Sequence, residues 1–302
     1  MKKIMTCSVA ALMAALALPV IAFAQEEPEG APSPNEIVAE AATEEWVRIP
    51  AEDLLVMTLA PDAEGNPREV IIQLMPAPFS QGWVHNIKLL AREGWYDGIS
   101  VNRVQDNYVV QWGDPNYDNP EADGEAKPLP EGLKVMREDE YLASYSITYQ
   151  MERNSPTEVI QTPPFVNIKS DETYGDTAFS MGWPVGISQT KRRRGSLKAE
   201  EGRMHPVHCY GMVGVGRNYS PDTGSGAELY TVIGHAPRHL DRNIALVGRV
   251  IEGIEYLSSL PRGKGELGFY AEDEFDKRTP ILSIDVAADL LESETAPAGL
   301  TY

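Results

Sequence analysis

The chain has 302 residues, of which 26 are lysine or arginine and 45 are aspartate or glutamate, so its formal net charge is -19 at pH 7. This acidity argues against a nucleic-acid-binding protein, because phosphate backbones are bound by basic faces. The length is sufficient for one large domain, or a domain with an insertion, that buries a substantial core.

The first 24 residues have the anatomy of a secretory signal peptide. Lys2 and Lys3 precede an almost wholly apolar stretch that ends in the small-x-small sequence Ala22-Phe23-Ala24. The alternative is a membrane anchor, since the stretch is long enough to reach across a bilayer, but Pro19 and the Ala-x-Ala pattern favour cleavage. We therefore predict an exported, periplasmic protein with no stable membrane insertion once residues 1–24 are removed.

The next segments predict a leader followed by a hairpin. Residues 25–45 are acidic, rich in proline and alanine, and lack aromatic side chains, which predicts a disordered or weakly helical leader. Two β-rich runs, 53–59 and 69–75, flank a turn-rich segment that contains Gly65 and Pro67. This pattern is typical of two antiparallel strands joined by a loop.

Residues 80–93 predict an amphipathic helix. The apolar residues that recur at helical spacing are Val84, Ile87, Leu90 and Ala91. Ser80 is the expected N-cap, and Gly94 is the expected stop.

Later apolar runs predict a mainly β domain over residues 46–288. The further strands are expected at 99–104, 108–112, 210–215, 229–233, 244–250 and 281–286, with a second helix at 252–260. Residues 116–206 mix proline, glycine and charge and predict a long loop-rich insertion, in which 140–150 has a strand or helix pattern. An independent domain there is the weaker alternative, because continuous apolar patterning is scarce. Many short strands with two helices favour a barrel or sandwich, and residues 289–302 form a tail.

Two separated blocks, 69–115 and 207–288, resemble the cyclophilin family. In the first block the matching motifs are Trp95-Tyr96-Asp97-Gly98, Asn102-Arg103, Tyr108 five residues later, and Gln111-Trp112-Gly113-Asp114. In the second block they are Tyr210-Gly211-Met212-Val213, the segment from Pro221 to Tyr230, Leu240-Asp241 and Gly248-Arg249-Val250. The ordered set is specific, although each motif alone is weak.

This resemblance implies a closed eight-stranded antiparallel barrel with two capping helices. It also implies peptidyl-prolyl cis-trans isomerase activity on proline-containing polypeptides. Arg103 takes the place of the family's essential arginine, and Gln111 that of its active-site glutamine. Tyr108 and Tyr230 match the aromatic residues of the proline pocket, and Leu240 matches a pocket leucine. The other substrate-binding candidates are Val109, Gly216, His239 and Asn102.

The chain departs from the family pattern at several positions. Asn102 replaces a histidine, His239 a tryptophan and Ile244 another histidine, while Glu228 replaces a glutamine and Trp112 a glycine. These departures keep open the alternative of a weakly active or inactive proline-peptide-binding or chaperone module.

The candidate residues suit rotation about an X-Pro amide. Resonance gives that bond a barrier of about 18–20 kcal/mol, and lowering the barrier requires neither nucleophile, cofactor nor metal. Aromatic side chains can hold the proline, while the planar guanidinium of Arg103 stabilises the twisted amide. Without the resemblance, Arg103 would be interpreted as a surface ion-pair residue and the tyrosines as ordinary barrel residues.

One further cluster has possible metal ligands, namely His205, His208 and Cys209. The short spacing and Pro206 make a single chelate awkward, so we predict a loop entering a strand and no metal site. Cys209 is the only cysteine after residue 24, so no intramolecular disulfide is expected. The basic run 191–194 is interpreted as a solvated loop.

Overall fold

The computed structural model describes residues 30–117, 122, 124–152, 155–171, 175–188, 199–235 and 237–291. The predicted signal segment, the basic run 191–194 and most of the predicted tail lie outside these residues. The chain divides into two compact units, residues 1–47 and 48–302. None of the helices in the described residues is long and apolar enough to cross a membrane.

Residues 30–47, in the first unit, contain a short α-helix, α1 (Pro34–Glu40), and a 3₁₀ helix at Thr43–Glu45. Ser33 is the N-cap of α1, and its hydroxyl accepts a hydrogen bond from the backbone N–H of Glu36 at 3.3 Å. The Glu36 carboxylate accepts the Ser33 N–H at 2.6 Å, so the two residues form a capping box. The described part of the leader is therefore partly helical.

The second unit is mainly β. Its strands, in chain order, are β1 (Leu54–Leu59), β2 (Arg68–Leu74), β3 (Ser100–Val104), β4 (Val109–Gly113), β5 (Ala143–Glu152), β6 (Ser155–Thr162), β7 (Phe165–Asp171), β8 (Gly175–Ser180), β9 (Trp183–Ser188), β10 (Ala199–Pro206), β11 (Met212–Val215), β12 (Leu229–Val232), β13 (Leu246–Glu252) and β14 (Thr279–Val286). The α-helices are α2 (Gln81–Arg92), α3 (Ile254–Ser258) and α4 (Ala287–Leu291). Short 3₁₀ helices lie at Ala51–Asp53, Glu138–Tyr141, Arg238–Leu240, Glu266–Gly268 and Glu272–Lys277.

Eight of the strands close into an antiparallel barrel in the order β1-β14-β3-β4-β12-β11-β13-β2. This confirms the predicted fold class, and the pairing of β1 with β2 confirms the predicted hairpin. Along β4, Val110 and Trp112 are fully buried in the core, while Gln111 between them is partly exposed. Successive side chains of a strand point to opposite faces, so one set fills the barrel core. The other set, which includes Gln111, lies on the outer wall and can form a site.

Helix α2 covers the barrel with the predicted apolar face. Val84, Ile87, Leu90 and Ala91 are all buried, and Trp83 joins them with no exposed surface. Ser80 precedes the helix as predicted, but its backbone is left-handed (φ 50°) and its side chain makes no capping bond. Residues whose side chains cap a helix normally have extended backbone, and the left-handed Ser80 departs from that geometry.

The structure differs from the loop-rich insertion predicted for 116–206. Strands β5–β10 form a six-stranded sheet in the order β6-β5-β10-β9-β8-β7, and the 140–150 pattern is strand. Along β9, Trp183, Val185 and Ile187 are buried at alternate positions. Their side chains therefore line one face of the sheet, which is where the apolar patterning of this segment is satisfied.

The second sheet packs on the barrel through a shared core. Residues of both sheets belong to one cluster of buried apolar side chains. The ring of Trp83 on α2 stacks on that of Tyr141, just before β5, with centroids 5.6 Å apart. The Arg249 guanidinium of β13 lies 4.3 Å from the Trp183 ring centroid and donates to the Gly182 carbonyl at 2.9 Å. The second sheet is thus an integral part of the same compact unit.

Candidate active site

A cavity of about 320 Å³ opens on the outer wall of the barrel, where β3, β4, β12 and β11 lie side by side. Seven of the nine predicted site residues line it: Arg103, Tyr108, Val109, Gln111, Gly216, Tyr230 and Leu240. The cavity therefore brings together residues that are separated by up to about half of the chain.

Strand register explains why these side chains meet. Arg103 on β3 pairs with Gln111 on β4, Gln111 pairs with Tyr230 on β12, and Tyr230 pairs with Gly214 on β11. Residues that pair across neighbouring strands project from the same face of a sheet. Arg103, Gln111 and Tyr230 thus form one row across the outer wall, and Gly214 ends the row without a side chain.

The Arg103 guanidinium is fixed by three oxygen acceptors. Its Nε donates to the carbonyl of Leu267 at 2.7 Å, its Nη1 to Gln111 Oε1 at 3.1 Å, and its Nη2 to Gln105 Oε1. The group also lies over the rings of Tyr108 (5.6 Å) and Phe269 (5.5 Å). Of its five N–H groups, three therefore have partners among the described residues, and one on each terminal nitrogen remains for a substrate.

Gln111 has an orientation that suits this arrangement. Its amide oxygen accepts from Arg103, while its amide nitrogen lies 3.5 Å from a carboxylate oxygen of Glu228. An ionised carboxylate only accepts hydrogen bonds, so Glu228 favours the amide orientation that turns the Gln111 oxygen toward Arg103. The departure from glutamine at position 228 is therefore compatible with an ordered site.

Tyr230 is held from behind by a buried chain of polar groups. Its hydroxyl lies 2.8 Å from His208 Nε2, and His208 Nδ1 lies 2.9 Å from Asp241 Oδ1. Arg238 Nε donates to the other oxygen of Asp241 at 2.6 Å. The side chains of His208 and Asp241 are completely buried.

The pKa shifts of His208 and Asp241 indicate where the protons of this buried hydrogen-bonded row lie. Burial lowers the pKa of His208, an effect that hydrogen bonding to Asp241 opposes. Burial alone would raise the pKa of Asp241, but hydrogen bonds from His208 and Arg238 hold it below its ordinary value. With His208 neutral and Asp241 ionised, Nδ1–H donates to Asp241 and Nε2 accepts the Tyr230 hydroxyl. The Tyr230 ring is thereby locked as the floor of the cavity.

The cavity contains fixed groups rather than groups poised to exchange protons near neutral pH. Burial raises the pKa of both Tyr230 and Tyr108 above the ordinary value of tyrosine. Burial lowers the pKa of Arg103, but an arginine starts so high that it stays charged. Such a site can bind and polarise a substrate amide without a proton-transfer step.

Two predicted residues do not line the cavity. Asn102 is only 2% exposed, and its amide nitrogen donates to the Gly113 carbonyl at 3.0 Å, while its oxygen accepts from Ser100 at 2.6 Å. It lies where the register of β3 with β4 shifts between Val101 and Arg103, and these two hydrogen bonds hold its side chain away from the cavity. His239 stacks beside the cavity on Tyr108, with ring centroids 5.9 Å apart and Nε2 lying 3.3 Å from the tyrosine hydroxyl.

Other lining residues were missed by sequence reasoning. They are Arg217, Asn218, Tyr219, Leu267 and Phe269, and Ile244, which was identified only as replacing a family histidine, lines the cavity as well. Arg217 follows the predicted Gly216 directly, so proximity in sequence could have indicated it. Leu267 and Phe269 come from a loop after α3, and this loop pairs with Arg103 through an isolated backbone bridge. No sequence motif indicated this pairing.

The His205–Cys209 segment spans the end of β10 in the second sheet and the start of the connection to β11 of the barrel. His205 and His208 are both buried, and Cys209 is partly buried. Within the described residues, no group of three or more histidine, cysteine, aspartate or glutamate side chains is arranged to hold a metal ion.

The protein has a closed antiparallel barrel, and the outer wall of this barrel carries a fixed arginine beside an aromatic pocket. This combination defines the cyclophilin class that the sequence motifs indicated. Residues 69–286 match the family described as cyclophilin type peptidyl-prolyl cis-trans isomerase/CLD, and the chain belongs to this family. It is accordingly a peptidyl-prolyl cis-trans isomerase. No curated protein matches the sequence significantly.

Two of the solved structures that match this chain are cyclophilins. One is the cyclophilin AquaCyp293 from Hirschia baltica, with 19% identity and a TM-score of 0.55, covering 86% of this chain and 82% of that one. Another is a cyclophilin type peptidyl-prolyl cis-trans isomerase from Cryptosporidium parvum, determined in the presence of the dipeptide Ala-Pro. It has 11% identity and a TM-score of 0.37, and the match covers 76% of this chain and 97% of that one. The first comparison supports the fold assignment.

Proposed function

We propose that this cyclophilin isomerises X-Pro bonds of exported proteins in the periplasm, and that it assists their folding there. The observation that carries the assignment of its site is the fixed Arg103 guanidinium, with two unused N–H groups, beside a cavity floored by Tyr230. The proposal of export rests on the signal-peptide pattern of residues 1–24.

The cavity binds the proline ring while the peptide bond rotates. A proline ring placed against Tyr230, Val109 and Leu240 would be bound by apolar contact, since these residues form one small buried cluster on the outer wall. Tyr108 and Ile244 pack against that cluster at its edge. Once the proline is held, the chain on its amino side can rotate in the open part of the site.

Arg103 supplies the stabilisation of the twisted amide. Rotation removes the amide resonance, so the nitrogen becomes pyramidal and a better hydrogen-bond acceptor. A guanidinium N–H directed at the prolyl nitrogen or carbonyl binds this state better than the planar one. Because Leu267, Gln111 and Gln105 already fix the group, little reorganisation is needed when the barrier is crossed.

The first test is an exchange-NMR assay of an Ala-Pro peptide with the full chain and with the chain lacking residues 1–24. We expect acceleration of cis-trans exchange and a loss of about 100-fold for Arg103→Ala, the scale seen when a fixed transition-state donor is removed. Arg103→Lys should also lose most activity, because an ammonium lacks the planar fork. Arg137→Ala is the control, since Arg137 is highly exposed and pairs with Asp139 away from the cavity.

The contrary result would favour the module that binds proline peptides without turning them over. If exchange is no faster than without protein while peptide still binds, the catalytic role of Arg103 is excluded. The location is tested by fractionating cells that produce the full chain and sequencing its amino terminus. We expect a periplasmic protein that begins at Gln25; retention of residues 1–24 in the membrane fraction would contradict cleavage.

A role in folding is tested with an exported protein whose refolding is limited by proline isomerisation. Such phases take tens of seconds or longer without a catalyst. We expect the wild-type chain to shorten the slow phase and Arg103→Ala to leave it unchanged. A slow phase that both proteins shorten equally would point instead to chaperone-type binding.

A further inference from the structure

Arg217 adds a second guanidinium to the cavity. It follows Gly216 just beyond the end of β11, whereas Arg103 lies on β3, and β4 and β12 run between them in the barrel. The two arginines thus flank the apolar cluster of Val109, Tyr230 and Leu240 in which the proline is proposed to bind.

The position of Arg217 is fixed by neutral oxygens. Its Nε and Nη2 donate to the Asn243 carbonyl at 3.3 and 3.2 Å, and Nη2 also donates to Asn243 Oδ1 at 2.7 Å. Nη1 donates to the Asn218 carbonyl at 2.6 Å. These contacts hold the guanidinium at the cavity rim without neutralising its charge, and they leave one N–H on Nη1 for a ligand.

The distribution of charge around Arg217 is asymmetric. Among the described residues that line the large cavity, the charged groups are Arg103 and Arg217, and none is a carboxylate. Asp222 and Glu228 line a smaller adjoining pocket of about 40 Å³, which Arg217 also borders. In a chain with a net charge of -19, a cavity with two cationic groups is an exception that favours negative ligands.

We infer that the isomerase prefers X-Pro segments that carry a carboxylate directly beside the proline. The inference rests on the proposed function of the cavity and deepens it by naming a substrate class. With the proline ring between the arginines, an adjacent aspartate or glutamate side chain lies within the reach of Arg217 and accepts its remaining Nη1–H. A charge-assisted hydrogen bond at a partly exposed rim is moderate in strength and is weakened by salt.

The test uses peptides that differ at one position. One series places Glu, Gln or Lys before the proline, and a second series places them after it. Values of kcat/KM from exchange NMR, and Kd values from NMR titration, are measured at low and at physiological salt. We expect Glu to exceed Gln by roughly threefold to tenfold in one of the two series, with a smaller ratio at higher salt.

Two variants of Arg217 distinguish the effect of its charge from the effect of its side-chain shape. In Arg217→Gln the ratio of Glu to Gln peptides should fall to about one, whereas Arg217→Lys should retain part of the preference because it retains the charge. Arg137→Gln changes the net charge equally at a distant exposed position and should leave the ratio as in the wild type. Equal Glu and Gln values in both series, or a preference that survives Arg217→Gln, would overturn the inference.

Failure of the proposed function gives a different pattern. Absence of catalysed exchange for every peptide would refute isomerisation at this cavity, yet the Kd ratios would still report the preference. Catalysed exchange without discrimination would leave the isomerase proposal standing and remove the role of Arg217.

Discussion

The carbonyl oxygen of Leu267 accepts the Nε–H of Arg103 at 2.7 Å. Leu267 has a left-handed backbone (φ 54°, ψ 16°), which is costly for a residue with a side chain. Its loop is fastened by Glu274, whose buried carboxylate accepts hydrogen bonds from Lys264 N–H at 2.8 Å and from Lys277 at 2.6 Å. A strained backbone that aims an acceptor at the central arginine is thus maintained by contacts outside the cavity.

Substitutions of Leu267 should distinguish the contribution of its carbonyl to kcat from that of its side chain. Leu267→Gly keeps the carbonyl and tolerates a positive φ, so kcat should stay close to the wild-type value. Leu267→Pro imposes a φ near -65° and should turn the carbonyl away, lowering kcat by about tenfold, the scale of one hydrogen bond to a charged group. Single-turnover exchange NMR gives kcat, and denaturant unfolding controls for stability. Equal kcat values for the two variants would refute the positioning role of this carbonyl.

Removal of the Tyr230 hydroxyl should affect stability more than chemistry. Tyr230→Phe keeps the ring on the cavity floor but leaves His208 Nε2 buried without its partner, which costs about 1–2 kcal/mol of unfolding free energy. Tyr108→Phe is the matched comparison, because its hydroxyl contacts His239 at 3.3 Å at an exposed position and should cost less than about 0.5 kcal/mol. Urea unfolding of both variants measures the difference. A similar small cost for both would contradict the proposed buried chain.

Gly214 should be intolerant of even one methyl group. A Cβ added there would lie 2.3 Å from the Tyr230 hydroxyl oxygen, so Gly214→Ala must displace the ring that floors the cavity. We expect a rise in KM of roughly tenfold together with a loss of stability. Combining Gly214→Ala with Tyr230→Leu removes the clash, and a double-mutant cycle should therefore show strong coupling between the positions. Additive effects would show that the two side chains do not compete for this space.

Protonation of buried His205 should destabilise the protein as the pH falls. His205 is 1% exposed, and neither ring nitrogen has a hydrogen-bond partner among the described residues. Burial lowers its pKa from 6.5 to about 4, although Asp241 opposes this effect. The unfolded state therefore binds more protons between these values, and stability present above pH 6.5 is lost toward pH 4, by up to about 3 kcal/mol.

Substitution of His205 identifies its share of this pH dependence. His205→Leu should flatten the fall in unfolding free energy between pH 6.5 and pH 4, because an apolar side chain cannot take up the proton. His85→Gln is the control, since His85 lies exposed on α2 and should leave the profile as in the wild type. Chemical denaturation at a series of pH values gives both profiles. An unaltered slope in His205→Leu would assign the destabilisation to other groups.

The barrel and the row of site residues were predictable from the sequence for a physical reason. Arg103 and Gln111 lie on adjacent strands of a tight hairpin, so their spacing fixes their pairing once the strands are recognised. The alternation of Val110, Gln111 and Trp112 separates the core from the wall. Asn102 was placed in the binding site by resemblance alone, whereas a register shift in β3 at this residue and its hydrogen bonds to Ser100 and Gly113 keep it out of the cavity.

The features that escaped prediction depend on contacts between distant segments. Trp183, Val185 and Ile187 alternate as a strand should, but the surrounding proline, glycine and charge obscured this short pattern. The Leu267 carbonyl and the Arg217 side chain reach the cavity through loop conformations that local sequence does not determine. Backbone carbonyls also carry no residue identity, so no motif could mark the group that holds Arg103.

The common core of the barrel and the second sheet has a consequence for folding. Stacking of Trp83 on Tyr141 and of Arg249 on Trp183 ties elements that are far apart in sequence, so the two sheets should melt together in one cooperative transition. A chain trimmed to the barrel would present the apolar wall around Trp83 to water and would tend to aggregate. For this cyclophilin, we therefore expect the smallest autonomous folding unit to be larger than the barrel that carries its chemistry.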